Sequence, residues 1–354
     1  MDYDFYSKSL VNWYKEHRRD LPWRRSSDPY IIWISEIILQ QTRVAQGLDY
    51  FNRFIARFPD VRALAAASED EVLRYWQGLG YYSRARNLLE AARTICRDFG
   101  GIFPRTYNEV RSLKGIGDYT AAAIVSFAYD LPYPVLDGNV YRVLARLFAL
   151  STPIDSTRGK KEFAELAGLL LDKEHPGLHN QAIMELGALQ CVPRQPDCSL
   201  CPLMDRCMAH AAGEVSVYPV KQQKLKTRPR YFHYLHIVCG NDTYIQRREG
   251  KDIWQGLYQL PLIETDTPAD FSELQQTDAF RRLLPDCGRM EISVVLRDIK
   301  HVLSHQTLYA SFYYIKVERE GKTLNEYLRI PLSCLENYAF PRLILRYFQA
   351  TANC

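Results

Sequence analysis

A chain of 354 residues and 41.1 kDa with 47% hydrophobic residues can fill two cores, so two domains are the first expectation. Its longest mostly apolar run, residues 121–129, is too short to span a bilayer, and its first residues lack a basic segment followed by an apolar one. These features argue against a membrane protein, and the expectation is a soluble intracellular one. The net charge of +4 is concentrated: residues 1–213 hold 26 basic against 25 acidic side chains, residues 231–354 hold 14 against 15, and residues 214–230 hold five against one.

Residues 1–213 read as helical almost throughout. Asp28 and Pro29 supply an N-cap and a first-turn proline, after which Ile31, Ile34, Ile38 and Leu39 recur at helical spacing with Glu36 among them. A second helix is expected over residues 45–57 and a third over 69–77, closed by Gly78-Leu79-Gly80. An arginine-rich helix over 83–99 ends at Gly100-Gly101.

The stretch Leu113-Lys114-Gly115-Ile116-Gly117-Asp118-Tyr119 places a Gly-x-Gly turn between an apolar segment and an alanine-rich run, the pattern of a helix-hairpin-helix. Gly115 and Gly117 permit a tight turn, and the unpaired N–H groups that open the next helix suit a phosphate. A plain helix–helix turn carries the same pattern, so the motif needs support from elsewhere in the chain. The helix over 119–129 stops before Pro132 and Pro134, and Asp137 and Asn139 then cluster at the opening of a helix expected over 141–150. Asp137 suits an N-cap, which does not exclude a chemical role.

Four of the nine cysteines are crowded as Cys191-x6-Cys198-x2-Cys201-x5-Cys207. In an intracellular chain such crowding favours a metal site over disulfides, and four thiolates can hold either zinc or an iron–sulfur cluster. Residues 214–230, with Lys221, Lys224, Lys226, Arg228, Arg230 and two prolines, read as an exposed interdomain linker. Beyond it, residues 231–238, 243–247, 291–296 and 308–317 are short runs rich in Tyr, Ile and Val, and helices are expected over 270–284 and 343–350. An α+β domain of about a hundred residues fits that texture.

Leu21-Pro22-Trp23-Arg24, the run from Trp33 to Thr42, the run from Gly78 to Leu88, the Gly115 turn, Leu136-Asp137-Gly138-Asn139-Val140 and the cysteine cluster occur in an order that resembles the MutY-type adenine DNA glycosylases of the endonuclease III superfamily. The resemblance covers nearly the whole chain. It implies a mainly α helix-hairpin-helix glycosylase region at 1–213, with a six-helix part at about 29–135 and an iron–sulfur part at about 1–28 and 136–213. A basic linker at 214–230 and a Nudix-like α+β lesion-recognition domain at 231–354 complete the expected organisation.

The resemblance also implies a 4Fe-4S cluster on Cys191, Cys198, Cys201 and Cys207, bracing a loop near the DNA backbone with Arg194 and Arg206. The implied partner is double-stranded DNA holding adenine opposite 8-oxoguanine, bound by a monomer in the cytoplasm and, in a bacterium, at the nucleoid. The implied reaction is hydrolysis of the bond between adenine and deoxyribose. Glu36 would protonate adenine at N7, Asp137 would stabilise the cationic sugar, and Asn139 would position water or substrate. Tyr119 stands where the lyase branch carries a Schiff-base lysine, which implies base removal without strand cleavage. Gln41, Thr42 and Tyr81 match wedge residues, Trp23, Arg24 and Glu185 match the adenine pocket, and Ser304 and His305 match the loop that reads 8-oxoguanine.

Two positions depart from the pattern: Lys114 replaces a proline, and Leu303 replaces a phenylalanine. Three competing readings are an endonuclease III-like glycosylase/lyase for oxidised pyrimidines, a non-catalytic DNA-binding iron–sulfur protein, and a Nudix diphosphatase. Tyr119 disfavours the first and the joint presence of Glu36 and Asp137 the second. Residues 270–284 offer Glu273 and Asp278 but no glutamate-rich metal-binding pattern, which disfavours the third.

Overall fold

The computed structural model describes residues 3–222 and 227–351, so Lys224 and Lys226 of the expected linker lie outside the described residues. The helices are α1 Tyr3–His17, α2 Pro29–Leu39, α3 Val44–Arg57, α4 Val61–Ala66, α5 Glu69–Trp76, α6 Ser83–Asp98, α7 Tyr107–Ser112, α8 Asp118–Tyr129, α9 Gly138–Leu147, α10 Thr157–Leu170, α11 Pro176–Leu189 and α12 Met208–Ala211. Two compact units form, the first from Met1–Ala66 with Asn87–Gln223 and the second from Ala67–Arg86 with Lys224–Cys354.

In the first unit α11 packs against α1, α8 and α9, and α8 also packs against α2. The core between α1, α8, α9, α10 and α11 includes Leu10, Tyr14, Ala123, Val140, Leu144, Phe163 and Leu186. Helix α2 starts where Asp28 accepts a 2.9 Å bond from the Tyr30 N–H, with Pro29 at its first position. Helix α9 starts at Gly138, earlier than the expected 141, because the Asp137 carboxylate accepts from the N–H groups of Asn139 and Val140 at 2.9 and 2.8 Å. Between α7 and α8, Gly115 has φ +78°, and a Cβ there would stand 2.7 Å from the Asn87 Cβ, so both backbone sign and close approach require glycine.

The second unit carries strands β1 Arg228–Cys239, β2 Asp242–Arg247, β3 Tyr258–Gln259, β4 Leu262–Thr265, β5 Met290–Val302, β6 Gln306–Val317 and β7 Leu328–Pro331. Their order is β3-β2-β1-β6-β5, with β4 also on β1 and β7 also on β2; β1 and β6 run parallel and the other pairs antiparallel. Alternation divides β1 and β6 between two cores. Phe232, Tyr234, Leu308, Ala310 and Phe312 meet Leu343, Ile344 and Tyr347 of α15 (Arg342–Thr351) on one face. Leu235, Ile237, Tyr313 and Ile315 meet Leu274, Phe280 and Leu283 on the other.

Three expectations shift here. The helix expected over 270–284 is two, α13 Phe271–Gln276 and α14 Asp278–Leu283, because the Thr277 hydroxyl accepts from the Phe280 N–H and starts a new helix. Glu273 is committed to a capping box with Asp270. Strand β1 begins inside the stretch expected as linker, and Arg230 there is ion-paired to Asp252 and Glu264. Strand β5 runs on through His301 and Val302, so the connection to β6 is only residues 303–305, closed by the Leu303 N–H on the Gln306 carbonyl at 2.8 Å. Among the described residues no helix is long and apolar enough to cross a membrane.

Candidate active site

The α2 sequence is apolar on nearly every side, and Glu36 is buried with it. Burial pushes the Glu36 carboxyl up to about 7; the Tyr119 hydroxyl, donating to Oε2 at 2.7 Å, works against that rise, and the nearby Asp137 charge adds to it. The half-buried Tyr119 is brought to this point at the start of α8, directly after the hairpin glycines. Asp137 is held at the N-terminus of α9, where burial raises its carboxyl while the N–H groups of Val140 and Asn139 and the Asn139 side chain oppose the rise. The Asn139 amide donates to Asp137 Oδ2 at 2.7 Å and accepts from Arg142 Nη2 at 2.9 Å.

Arg142, which sequence reasoning missed, is buried and also donates to the carbonyls of Cys191, Gly138 and Gly187. It fixes which end of the Asn139 amide faces Asp137. A Cβ at Gly187 would stand 2.7 Å from the Asn139 Cβ, so α11 must present glycine here. The only sequence signal for Arg142 was an arginine four residues after Gly138.

Glu185 is fully buried on α11 and is bridged by two guanidinium groups, Arg24 and Arg19. Burial alone would raise its carboxyl, but hydrogen bonds from Arg24 and Arg19 outweigh burial and hold it down at about 2. Arg19 is a second omission of the sequence reading, its partner lying 166 residues away. Trp23 is buried edge-on against Phe51 at 5.1 Å, and Arg24 stands over the Tyr14 ring.

Gln41 and Tyr81 are both exposed and both left-handed, with φ +56° and +47°. Such φ values in non-glycine residues are uncommon and cluster where function holds them. Thr42 is half-buried behind Gln41, its hydroxyl 3.4 Å from the Gln40 carbonyl. Behind Tyr81, the guanidinium of Arg84 lies 5.4 Å from its ring and 5.2 Å from that of Trp76, and burial brings Arg84 down to about 10. Within the same unit the Tyr81 hydroxyl meets the Ser304 hydroxyl at 3.0 Å. His305 is exposed and its carbonyl accepts from the Arg228 N–H. Leu303 packs against the apolar core of its domain, and the exposed apolar side chain beside the loop is Val302. Lys114 lies 4.0 Å from Glu90, and Gly117, at φ −92°, caps α8 with open space around its Cα.

The expected 4Fe-4S cluster is a correction. Among the described residues no group of three or more Cys, His, Asp or Glu side chains is arranged to hold a metal ion. Cys191, Cys198, Cys201 and Cys207 are not joined in disulfides. Two of the sulfurs are engaged by Arg146, whose Nη1 reaches Cys191 Sγ at 3.3 Å and whose carbonyl accepts from Cys207 Sγ at 3.5 Å. Burial pushes the Cys201 thiol up to about 11 and raises Cys198 and Cys207. Arg206, expected beside the DNA backbone, lies over the Phe5 ring at 5.3 Å. The arrangement of these side chains therefore does not support the expected 4Fe-4S cofactor or a metal-ligand role for the four cysteines.

Residues 34–168 match the family of HhH-GPD superfamily base excision DNA repair proteins, and residues 233–350 match the NUDIX domain. An adenine DNA glycosylase of Buchnera aphidicola subsp. Schizaphis graminum is 36% identical over 73% of this chain and 75% of its own. A second, from Buchnera aphidicola subsp. Baizongia pistaciae, is 33% identical over 88% of this chain and 86% of its own. Among solved structures, a thermostable thymine-DNA glycosylase is 28% identical with a TM-score of 0.56, covering 59% of this chain and 97% of that one. With a helical region of that superfamily, a Nudix-type β domain and relatives matched over most of their length, the chain belongs to the adenine DNA glycosylases, DNA-binding enzymes of base excision repair.

Proposed function

We propose that this adenine glycosylase hydrolyses the N-glycosidic bond of adenine placed opposite 8-oxoguanine, as a monomer, and leaves the strand intact. The observation that carries this reading is the buried Glu36 carboxyl, protonated up to about pH 7 and oriented by Tyr119, beside an Asp137 carboxylate that accepts three N–H donors. Glu36 delivers its proton to adenine N7, converting a poor leaving group into a neutral one. Asp137 faces the sugar as positive charge develops, and Asn139 sets the position of Asp137 and of the attacking water. Arg24, held in place by the buried Glu185, gives the extruded adenine a hydrogen-bonding wall, and Trp23 lines the pocket from the same short helical turn.

Gln41, Thr42 and Tyr81 fill the gap that extrusion leaves, and Ser304 and His305 meet the carbonyl and N7 hydrogen by which 8-oxoguanine differs from guanine. Gly115 and Gly117 open the α8 N-terminus to a backbone phosphate. Tyr119 cannot form a Schiff base, so no strand break follows. The test is excision from duplexes with adenine opposite 8-oxoguanine, guanine or thymine, read with and without alkali. The expected order is 8-oxoguanine, then guanine, then thymine, with breaks only after alkali. Breaks without alkali overturn the hydrolytic reading, and equal rates overturn the 8-oxoguanine reading.

A further inference from the structure

Residues 67–86, which carry the Tyr81 turn, pack with the Nudix-type domain as one compact unit. The ties are specific. Arg247 on β2 reaches Glu69 at 2.9 Å and Asp70 at 3.3 Å, both in the first turn of α5. Arg86 donates through Nη1 to the Gln255 carbonyl and through Nη2 to its side-chain oxygen. The Phe340 N–H donates to Gln77 Oε1 at 3.3 Å. Gly256, at φ +84°, lets the backbone come so close that a Cβ there would stand 2.9 Å from Glu69 Oε1 and 3.2 Å from Leu73 Cδ1. At the far end of this seam lies the Tyr81–Ser304 hydroxyl contact, between residues 223 positions apart in sequence.

We propose that Arg86 and Arg247 are positioning residues for lesion discrimination, fastening the turn that carries Tyr81 to the domain that carries Ser304 and His305. The inference rests on the reading that Tyr81 wedges and that residues 303–305 meet the base opposite adenine. Those two bases are partners across one duplex step, so the probes that meet them must keep a fixed separation. The Tyr81–Ser304 contact alone joins the tips of two turns, and one hydrogen bond between hydroxyls does not hold such tips in register. A seam of charged and backbone bonds along α5 and the start of α6 does. With the seam intact, a good fit of the loop on 8-oxoguanine places Tyr81 in the stack. With it cut, the loop can bind without driving the wedge, and guanine and 8-oxoguanine become more alike as substrates.

The full-length protein with Arg86→Ala and Arg247→Ala together should lose about fivefold of its preference for 8-oxoguanine over guanine in kcat/KM, the effect of about 1 kcal/mol of lost coupling. Its single-turnover rate on saturating adenine:8-oxoguanine duplex should stay within about twofold, because these residues act on binding and register and not on the reacting atoms. Charge exchange supplies the second arm: Arg247→Glu should narrow the preference, and adding Glu69→Arg should restore it. A preference unchanged in the double variant, or a charge exchange that restores nothing, overturns the proposal. Ser304→Ala with His305→Ala in the same assay separates the two levels. If that pair narrows the preference and the arginine variants do not, only the fastening fails; if it too leaves the ratio untouched, the 8-oxoguanine reading fails and this inference with it.

Discussion

Glu36 holds a proton near neutrality chiefly because α2 buries it, and the same burial sets two measurable pH dependences. Its carboxyl titrates at about 7 in the folded chain against 4.5 for the ordinary group, so the folded state binds this proton more tightly than the unfolded one. The associated stability is fully present below about pH 4.5 and is lost as pH rises through 7, by up to roughly 3 kcal/mol. Gln has no such proton to lose and keeps an acceptor for the Tyr119 hydroxyl. Glu36→Gln should therefore abolish excision while retaining duplex binding, and should unfold at a higher temperature than the parent at pH 8, the gap closing towards pH 5. Thermal unfolding across pH and single-turnover excision check both halves; a variant less stable than the parent at pH 8 would remove the buried-acid account. For the intact enzyme, the excision rate should fall above about pH 7 as Glu36 ionises, and its acid-side fall should lie higher than an ordinary aspartate would give, because burial raises Asp137 as well.

At the scale of elements, the hairpin gives a paired test of what glycine is for. Gly115→Ala places a Cβ at φ +78° and 2.7 Å from the Asn87 Cβ, whereas Gly117→Ala meets open space at φ −92°. The first should lower stability by about 1–3 kcal/mol and the second by well under 1; comparable losses in urea unfolding would mean the turn is not strained as described. The motif was readable because turn chemistry is local: Gly-x-Gly, the Asp28 cap and the alanine-rich α8 all act within a few residues of themselves. The places of Glu36 within α2 and of Asp137 at the N-cap of α9 were readable for the same reason, each lying in a short run of ordered neighbours. What was not readable depends on distance. Arg19 and Arg142 take their roles from partners on α11, and nothing beside either arginine indicates that packing. The expected helix over 270–284 missed a break that one threonine hydroxyl makes, and β5 outran its expected end because the β6 ladder carries it on through His301. The cysteine pattern points the same way, since spacing alone cannot set where the four sulfurs face, and Arg146 takes two of them.

For the whole molecule, the sequence boundary after residue 213 marks where composition changes, while packing divides the chain elsewhere. Helix α5 buries Val72, Leu73 and Trp76, and its exposed acidic start meets Arg247 of a strand some 180 residues on. Composition could not reveal this, because α5 reads as one more amphipathic helix among many. Its stability should nevertheless depend on the β domain. A chain ending at Gln222 removes Arg247, Gln255, Gly256 and the Phe340 N–H at once, leaving Gln77, Arg86 and the acidic residues of α5 without these partners. Local opening then costs less, and amide exchange reports that directly. The amides of residues 69–84 should exchange at least about tenfold faster in the shortened chain, equivalent to roughly 1.4 kcal/mol of lost protection. Those of α8 and α11, whose partners α1, α2 and α9 all remain, should keep their rates. Equal loss throughout would mean that the shortened chain is globally loosened, and undisturbed exchange in 69–84 would mean that the segment draws its order from its helical neighbours alone.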